Sequence, residues 1–186
     1  MLELSERRRK LKPKPHILHK SEAKQKLKGA VITISTSRYY NAREGLKIKD
    51  ESGDLICKQL RSRGHTVFYR SLVPDDILAI RLKVLDAARY GLDFIITTGG
   101  TGISRTDVTV EAIQPLLDKT LPGFGEYFRA ESSKSIGSSA IMSRAMLGSM
   151  KGIVVACLPG SPDSVKLGMK IILDELPHLV SLAGGS

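Results

Sequence analysis

The chain has 186 residues, 41% of them hydrophobic and 26% charged, with a net charge of +10. That balance argues against a disordered polyelectrolyte and suits one globular domain with a tail. With no apolar run near membrane-span length, no apolar signal core and only two cysteines, a soluble, cytoplasmic protein without disulfides or membrane contact is expected.

The first predicted unit is a basic arm. Residues 1–28 hold 10 Lys/Arg against 3 Asp/Glu, so most of the positive charge sits there, and residues 29–186 form the folded domain. This uneven placement argues against a nucleic-acid-binding surface over the whole protein. Interrupted by Pro13 and Pro15, the arm reads as a solvated tail or an oligomer-docking segment, with RNA or membrane contact as the competing reading.

From Gly29, Ala-Val-Ile-Thr-Ile-Ser predicts a first strand, and the polar stretch Arg38–Asp50 a loop. Leu55, Ile56, Gln59 and Leu60 at helical spacing predict a helix over Ser52–Arg63, closed by Gly64. A short strand follows at His65–Arg70. Ile77, Ile80, Val84, Leu85 and Ala88 form the stripe of a helix over Asp75–Tyr90, capped by Asp75 after Pro74. Phe94, Ile95 and Ile96 read as a strand covered on both faces. Helices are then predicted over Val110–Asp118, with Asp107 and Thr109 as candidate caps, and over Glu126–Lys134. Two strands, Ser139–Leu147 and Gly152–Leu158, flank a turn at Gly148–Lys151, and a last helix runs from Pro162 to about Leu176, ended or kinked by Pro177. The alternation implies a three-layer α/β/α fold around a mostly parallel sheet, with one antiparallel strand from the late pair.

In such sheets, ligands bind beyond the carboxyl ends of the strands. The loops after Ile34, around Pro74, at Gly99–Thr106 and at Pro159–Pro162 fall there. Gly99, Gly100 and Gly102 let the backbone turn sharply and approach a bound group, and the following helix N-terminus favours phosphate. Their spacing is neither the dinucleotide fingerprint nor a Walker motif, so a tight turn without a ligand stays open beside the phosphate reading. Asp75 and Asp107 each read as a helix cap alone, or as two Mg²⁺ ligands set against a phosphate chain. Arg144 reads either as half of a surface ion pair or as a planar fork for an anion.

The runs Thr97-Thr-Gly-Gly-Thr-Gly-Ile-Ser-Arg-Thr-Asp-Val-Thr109, Leu121-Pro-Gly-Phe-Gly125, Ser143-Arg144 and Pro159-Gly-Ser-Pro162 resemble the MogA/MoaB family of molybdenum-cofactor biosynthesis proteins. Asp50-Glu-Ser-Gly53, Gly64-His65 and Val73-Pro-Asp-Asp76 fit the same family in the same order, from about Gly29 onward. The resemblance implies a molybdopterin-binding-domain-like fold and Mg²⁺- and ATP-dependent adenylylation of molybdopterin, with release of pyrophosphate. It assigns Asp75 and Asp107 to catalysis and Mg²⁺, and Gly99, Gly100, Thr101 and Gly102 to a phosphate, with the Thr101 hydroxyl as a further donor. Ser35 and Asp50 would line the pocket, Asp50 serving equally well as a helix cap. Ser143, Arg144, Pro159, Gly160 and Ser161 would hold the pterin or its phosphate. Two positions depart from many relatives: Val110 stands for a proline and Ser161 for an asparagine. The chain looks like the stand-alone MoaB type, and relatives assemble as trimers or hexamers. A MoeA-type metal-insertion protein is the implied partner, and a molybdopterin-binding or scaffold protein without turnover is the alternative function.

Overall fold

The computed structural model describes residues 26–184. Six strands form one sheet: β1 (Lys28–Ile34), β2 (Thr66–Val73), β3 (Phe94–Thr98), β4 (Lys119–Thr120), β5 (Met146–Met150) and β6 (Ile153–Leu158). Their order is β2-β1-β3-β6-β5-β4. The first four run parallel, whereas β5 is antiparallel to β6 and β4 to β5. The mostly parallel α/β/α architecture expected from the alternation is the one observed.

Seven α-helices accompany the sheet among the described residues: α1 (Thr36–Arg43), α2 (Glu51–Ser62), α3 (Ile77–Ala88), α4 (Thr109–Ile113), α5 (Pro122–Ile136), α6 (Pro162–Leu173) and α7 (Leu176–Gly184). Every residue of β3 and β6 is buried, because helices cover both faces and each side chain meets a core. Alternate residues serve opposite layers. Val31, Phe94, Ile96 and Ala156 pack with Ile56, Phe128 and Met169 of α2, α5 and α6. Ala30, Ile32, Ile95 and Val155 pack with Ile80, Val84 and Ile113 of α3 and α4. Full burial of each Val, Ile, Phe or Met side chain among these stabilises the fold by about 1.5–3 kcal/mol. Cys157 is wholly buried, and burial pushes its thiol up to about 12, as suits an inert core residue.

The start of β1 is locked into its neighbours. Leu27 N donates to His65 Nδ1 at 3.4 Å and Thr66 N to Leu27 O at 2.7 Å. Lys28 N donates to Asp93 Oδ2 and Asp93 N to Lys28 O, each at 2.7 Å, while Val154 N donates to Asp93 O at 3.1 Å. α7 ends beside the same corner, since a Cβ on Gly152 would come within 3.5 Å of Gly184 Cα. Leu27 is already buried, so the core begins just inside the expected arm, whose residues 1–25 lie outside the described part.

Several expected elements differ. The first part of the stretch read as loop, residues 38–43, belongs to the helix Thr36–Arg43; it buries no side chain and so carries no apolar stripe to announce it. α3 starts two residues later than read, and its cap is Asp76, whose carboxylate accepts from Ala79 N at 2.7 Å. α4 is only one turn or so long and gives way to a 3₁₀ turn, Gln114–Leu116, at Pro115, which has no N–H to continue the ladder. The expected strand Ser139–Leu147 begins inside a 3₁₀ segment, Gly137–Met142, and becomes strand only at Met146, while the supposed turn at Gly148–Met150 is strand. The real turn is Lys151-Gly152, both with positive φ (49° and 80°), the sense that matches strand twist in a two-residue hairpin. Pro177 does not end a helix; it sits in the first turn of α7, where a missing N–H costs nothing.

Candidate functional site

At the carboxyl ends of β1, β2, β3 and β6 the four expected loops meet. Ser35 N donates to Val73 O at 2.9 Å, and Gly99 N to Leu158 O at 3.0 Å. Thr98 Oγ1 reaches Pro159 O at 2.9 Å, and Ser52 Oγ at the start of α2 reaches Gly160 O at 2.7 Å. A Cβ on Gly160 would come within 3.3 Å of Gly99 Cα, so the Pro159–Ser161 loop packs on the glycine loop.

The glycine loop needs its glycines. Gly99 and Gly100 have φ of 106° and 62°, a region that side chains disfavour. A Cβ on Gly99 would lie 2.2 Å from Ile34 O, and one on Gly100 would lie 2.5 Å from Thr109 Oγ1. Four successive carbonyls are taken by the scaffold. Thr109 Oγ1 donates to Gly99 O (2.8 Å) and Thr109 N to Gly100 O (3.0 Å). Arg144 N donates to Thr101 O (3.2 Å) and Arg144 Nε to Gly102 O (2.8 Å). In a trans peptide the N–H points opposite to the C=O, so the N–H groups of residues 100–103 face away from these donors. Thr101 itself is 2% exposed, backbone and side chain together.

Both aspartates flank this loop, and neither is the N-cap of the helix that follows it. Asp75 Oδ2 accepts from Thr36 N and Thr36 Oγ1, each at 2.8 Å, while Thr36 Oγ1 accepts from Asp75 N at 2.9 Å. The other oxygen, Oδ1, lies 2.9 Å from where a Gly100 Cβ would stand. Asp107 Oδ2 accepts from Ser104 N at 2.9 Å and lies 2.8 Å from where a Gly102 Cβ would stand. The N-cap of α4 is Val108, without a side-chain bond, and Thr109 uses its hydroxyl on Gly99. The two carboxylates therefore border the same short backbone run, at Gly100 and Gly102.

The remaining expected residues divide. Asp50 is the cap of α2, accepting from Gly53 N at 3.0 Å, and it also accepts from Thr33 Oγ1 (2.7 Å) and Arg70 Nη2 (3.0 Å). Burial pushes the Asp50 carboxyl up, but the hydrogen bonds from Thr33, Arg70 and Gly53 outweigh it and hold the group below its ordinary value. Ser161 caps α6 by accepting from Ser164 N at 3.3 Å. Ser35 stands at the N-cap of α1 without a capping bond, 3.4 Å from Ser37 Oγ. Ser143 Oγ accepts from Ala145 N at 3.4 Å. Arg144 is an ion-pair partner of Glu111 as well as a donor to the loop. A cavity of about 380 Å³ opens beside it, lined by Ile103, Ser104, Arg105, Asp107, Val108, Glu111 and Arg144. Thr36, Ser52 and Glu111 were not singled out from the sequence, because each acts through a partner distant along the chain.

No group of three or more His, Cys, Asp or Glu side chains is gathered for a metal among the described residues. Mg²⁺ does not require one; it is held by one or two carboxylates together with substrate phosphates. Asp75 and Asp107 suit that donor set, whereas Asp50 is bound to Arg70. No helix among the described residues is long and apolar enough to cross a membrane.

Residues 30–178 match the family described as "Probable molybdopterin binding domain". The molybdopterin adenylyltransferase of Pyrococcus furiosus is 41% identical over 169 residues, covering 89% of this chain and 96% of that protein. The molybdenum cofactor biosynthesis protein B of Bacillus anthracis is 42% identical over 164 residues, covering 87% and 93%. The crystal structure of the tungsten cofactor synthesizing protein MoaB from Pyrococcus furiosus superposes with a TM-score of 0.78 at 39% identity, covering 88% of this chain and all of that one.

Proposed function

The chain belongs to the molybdopterin-binding-domain family, and from that membership we propose that it is a molybdopterin adenylyltransferase of molybdenum-cofactor biosynthesis. In this reaction a phosphate oxygen of molybdopterin attacks the α-phosphorus of ATP. The new P–O bond forms as the bond to the β-phosphate bridge breaks, giving adenylylated molybdopterin and pyrophosphate. Such a transfer needs alignment and charge neutralisation more than a protein nucleophile. The observation that carries the reading is a pair of carboxylates, Asp75 and Asp107, bordering a glycine loop whose carbonyls are tied to the scaffold.

Within this reading the N–H groups of Gly100 and Gly102, with Gly99 as the turn and the buried Thr101 between them, receive a phosphate of the substrate. Asp75 and Asp107 are the catalytic carboxylates and would hold Mg²⁺, which when bound supplies positive charge to the phosphate oxygens. Ser35 and Ser143, with the Pro159–Ser161 loop, contribute the pterin side of the pocket. Asp50 supports the pocket through Thr33 and Arg70, and Arg144 supports it chiefly through the loop carbonyls. Residues 29–186 would be the catalytic unit and 1–28 the basic arm.

Incubation with molybdopterin, ATP and Mg²⁺ tests this. Adenylylated pterin and pyrophosphate are expected by mass spectrometry, and Asp75→Ala or Asp107→Ala lowers turnover by about 100-fold or more, the scale of losing a charge-positioning group. Tight pterin binding without product would overturn the enzyme in favour of a binding or scaffold protein. The same reading places the protein in the cytoplasm, as a homo-oligomer (trimer or hexamer) that hands its product to a MoeA-type metal-insertion protein. The exposed apolar side chains Leu78, Leu82 and Ile141 support self-association.

A further inference from the structure

The geometry points to Glu111 as a positioning residue: we propose that its carboxylate holds the Arg144 guanidinium as a strut across residues 102–107 and so fixes where Asp107 stands. The catalytic consequence rests on the adenylyltransferase reading, whereas the mechanics rest on the contacts alone.

Residues 103–106 are all exposed, with Ile103 72% so, and the segment has little core to hold it. Its internal bonds, Ser104 N to Asp107 Oδ2 and Asp107 N to Ser104 O, make a turn but do not attach that turn to the body of the protein. Arg144 makes the attachment at both ends. Its Nε donates to Gly102 O at 2.8 Å and its Nη2 to Asp107 O at 2.9 Å. Because the guanidinium is planar and rigid, these two bonds fix the spacing of the two carbonyls on either side of the turn.

A guanidinium on a flexible stem needs its own restraint, and Glu111 supplies it. The Nη1 of Arg144 pairs with Glu111 Oε1, and Nη2 also reaches Glu111 Oε2 at 3.3 Å. Four of the five N–H groups of the fork are thereby used. Glu111 stands in the first turn of α4, where negative charge is favoured. Arg144 in turn holds its carboxyl below the ordinary value, so it stays ionised at neutral pH. An arginine committed in this way braces the loop; it is not a free anion ligand waiting for substrate.

The test compares the parent with Glu111→Gln, which keeps the shape and removes the charge. Turnover of molybdopterin with MgATP is measured alongside hydrogen exchange of residues 102–108. Glu111→Gln is expected to lower kcat about tenfold while KM for each substrate changes less than about twofold, as for a misaligned catalytic group. Exchange at 102–108 accelerates and the core strands stay protected. In an Asp107→Ala background the Glu111→Gln change causes no further loss, because the strut acts through Asp107. An undiminished kcat overturns the proposal, and so does a full additive loss in that background, the mark of a general structural defect. If the parent forms no product, the adenylyltransferase reading alone fails. Faster exchange at 102–108 then supports the strut, and unchanged exchange overturns it.

Discussion

Asp75 and Asp76 are adjacent and chemically identical, yet the fold gives them separate tasks. Asp76 accepts from Ala79 N and starts α3, whereas Asp75 turns to Thr36 and to the backbone at Gly100. Asp76→Ala is therefore expected to lower stability by about 1 kcal/mol, read as a reduced melting temperature, with turnover retained. Asp75→Ala should lose most turnover as well as its bonds to Thr36, and if both variants lose turnover equally the division of labour is wrong. At this scale the sequence was informative about residue types but not about directions. Two successive aspartates before a helix give no sign of which faces the helix end. Arg144 could be read as ion pair or anion fork because its partner Glu111 lies 33 residues away. Thr36 and Ser52 join the site only when four loops converge.

At the scale of elements, buried strands declare themselves and exposed ones do not. Phe94–Thr98 and Ile153–Leu158 read correctly because both faces are covered and each run opens on consecutive apolar residues. β4 is two exposed residues, Lys119 and Thr120, with no pattern to read. Gly148 looked like a turn, but its missing Cβ lets β4 approach, since a Cβ there would lie 2.4 Å from Lys119 O. The pairing of β1 with β2 also carries a pH dependence. His65 is buried, and burial followed by the nearby Arg63 lowers its pKa from the ordinary value near 6.5. The neutral ring accepts from Leu27 N. The unfolded imidazole takes up a proton near pH 6.5 and the folded one resists it, so this contribution is intact above that value and is lost as pH falls below it. The melting temperature should drop between pH 7 and 5 by more in the parent than in His65→Asn; parallel drops would exclude His65 as the cause.

For the whole molecule, the exposed side chains argue for company. α3 turns Ile80, Val84 and Ala87 inward but leaves Leu78 64% and Leu82 59% exposed on its outer face. Light scattering is expected to give three or six times the 20.3 kDa chain mass, and a monomeric mass would defeat the oligomer. If the outer face of α3 makes the contact, Leu82→Lys reduces that mass while deletion of residues 1–25 leaves it unchanged. The reverse result assigns assembly to the arm.

The corner where Leu27, Asp93, Gly152 and Gly184 gather lies at the amino ends of the parallel strands, and the glycine loop lies at their carboxyl ends. The seven residues of β1 separate the two by about 23 Å. A fluorophore, a fused reporter or a solid support joined at residue 26 or 184 would thus hold the molecule from behind, with its mouth turned to the solution. Surface-bound sensors of pterin or nucleotide can be built on either attachment point without the anchor standing in the path of the ligand.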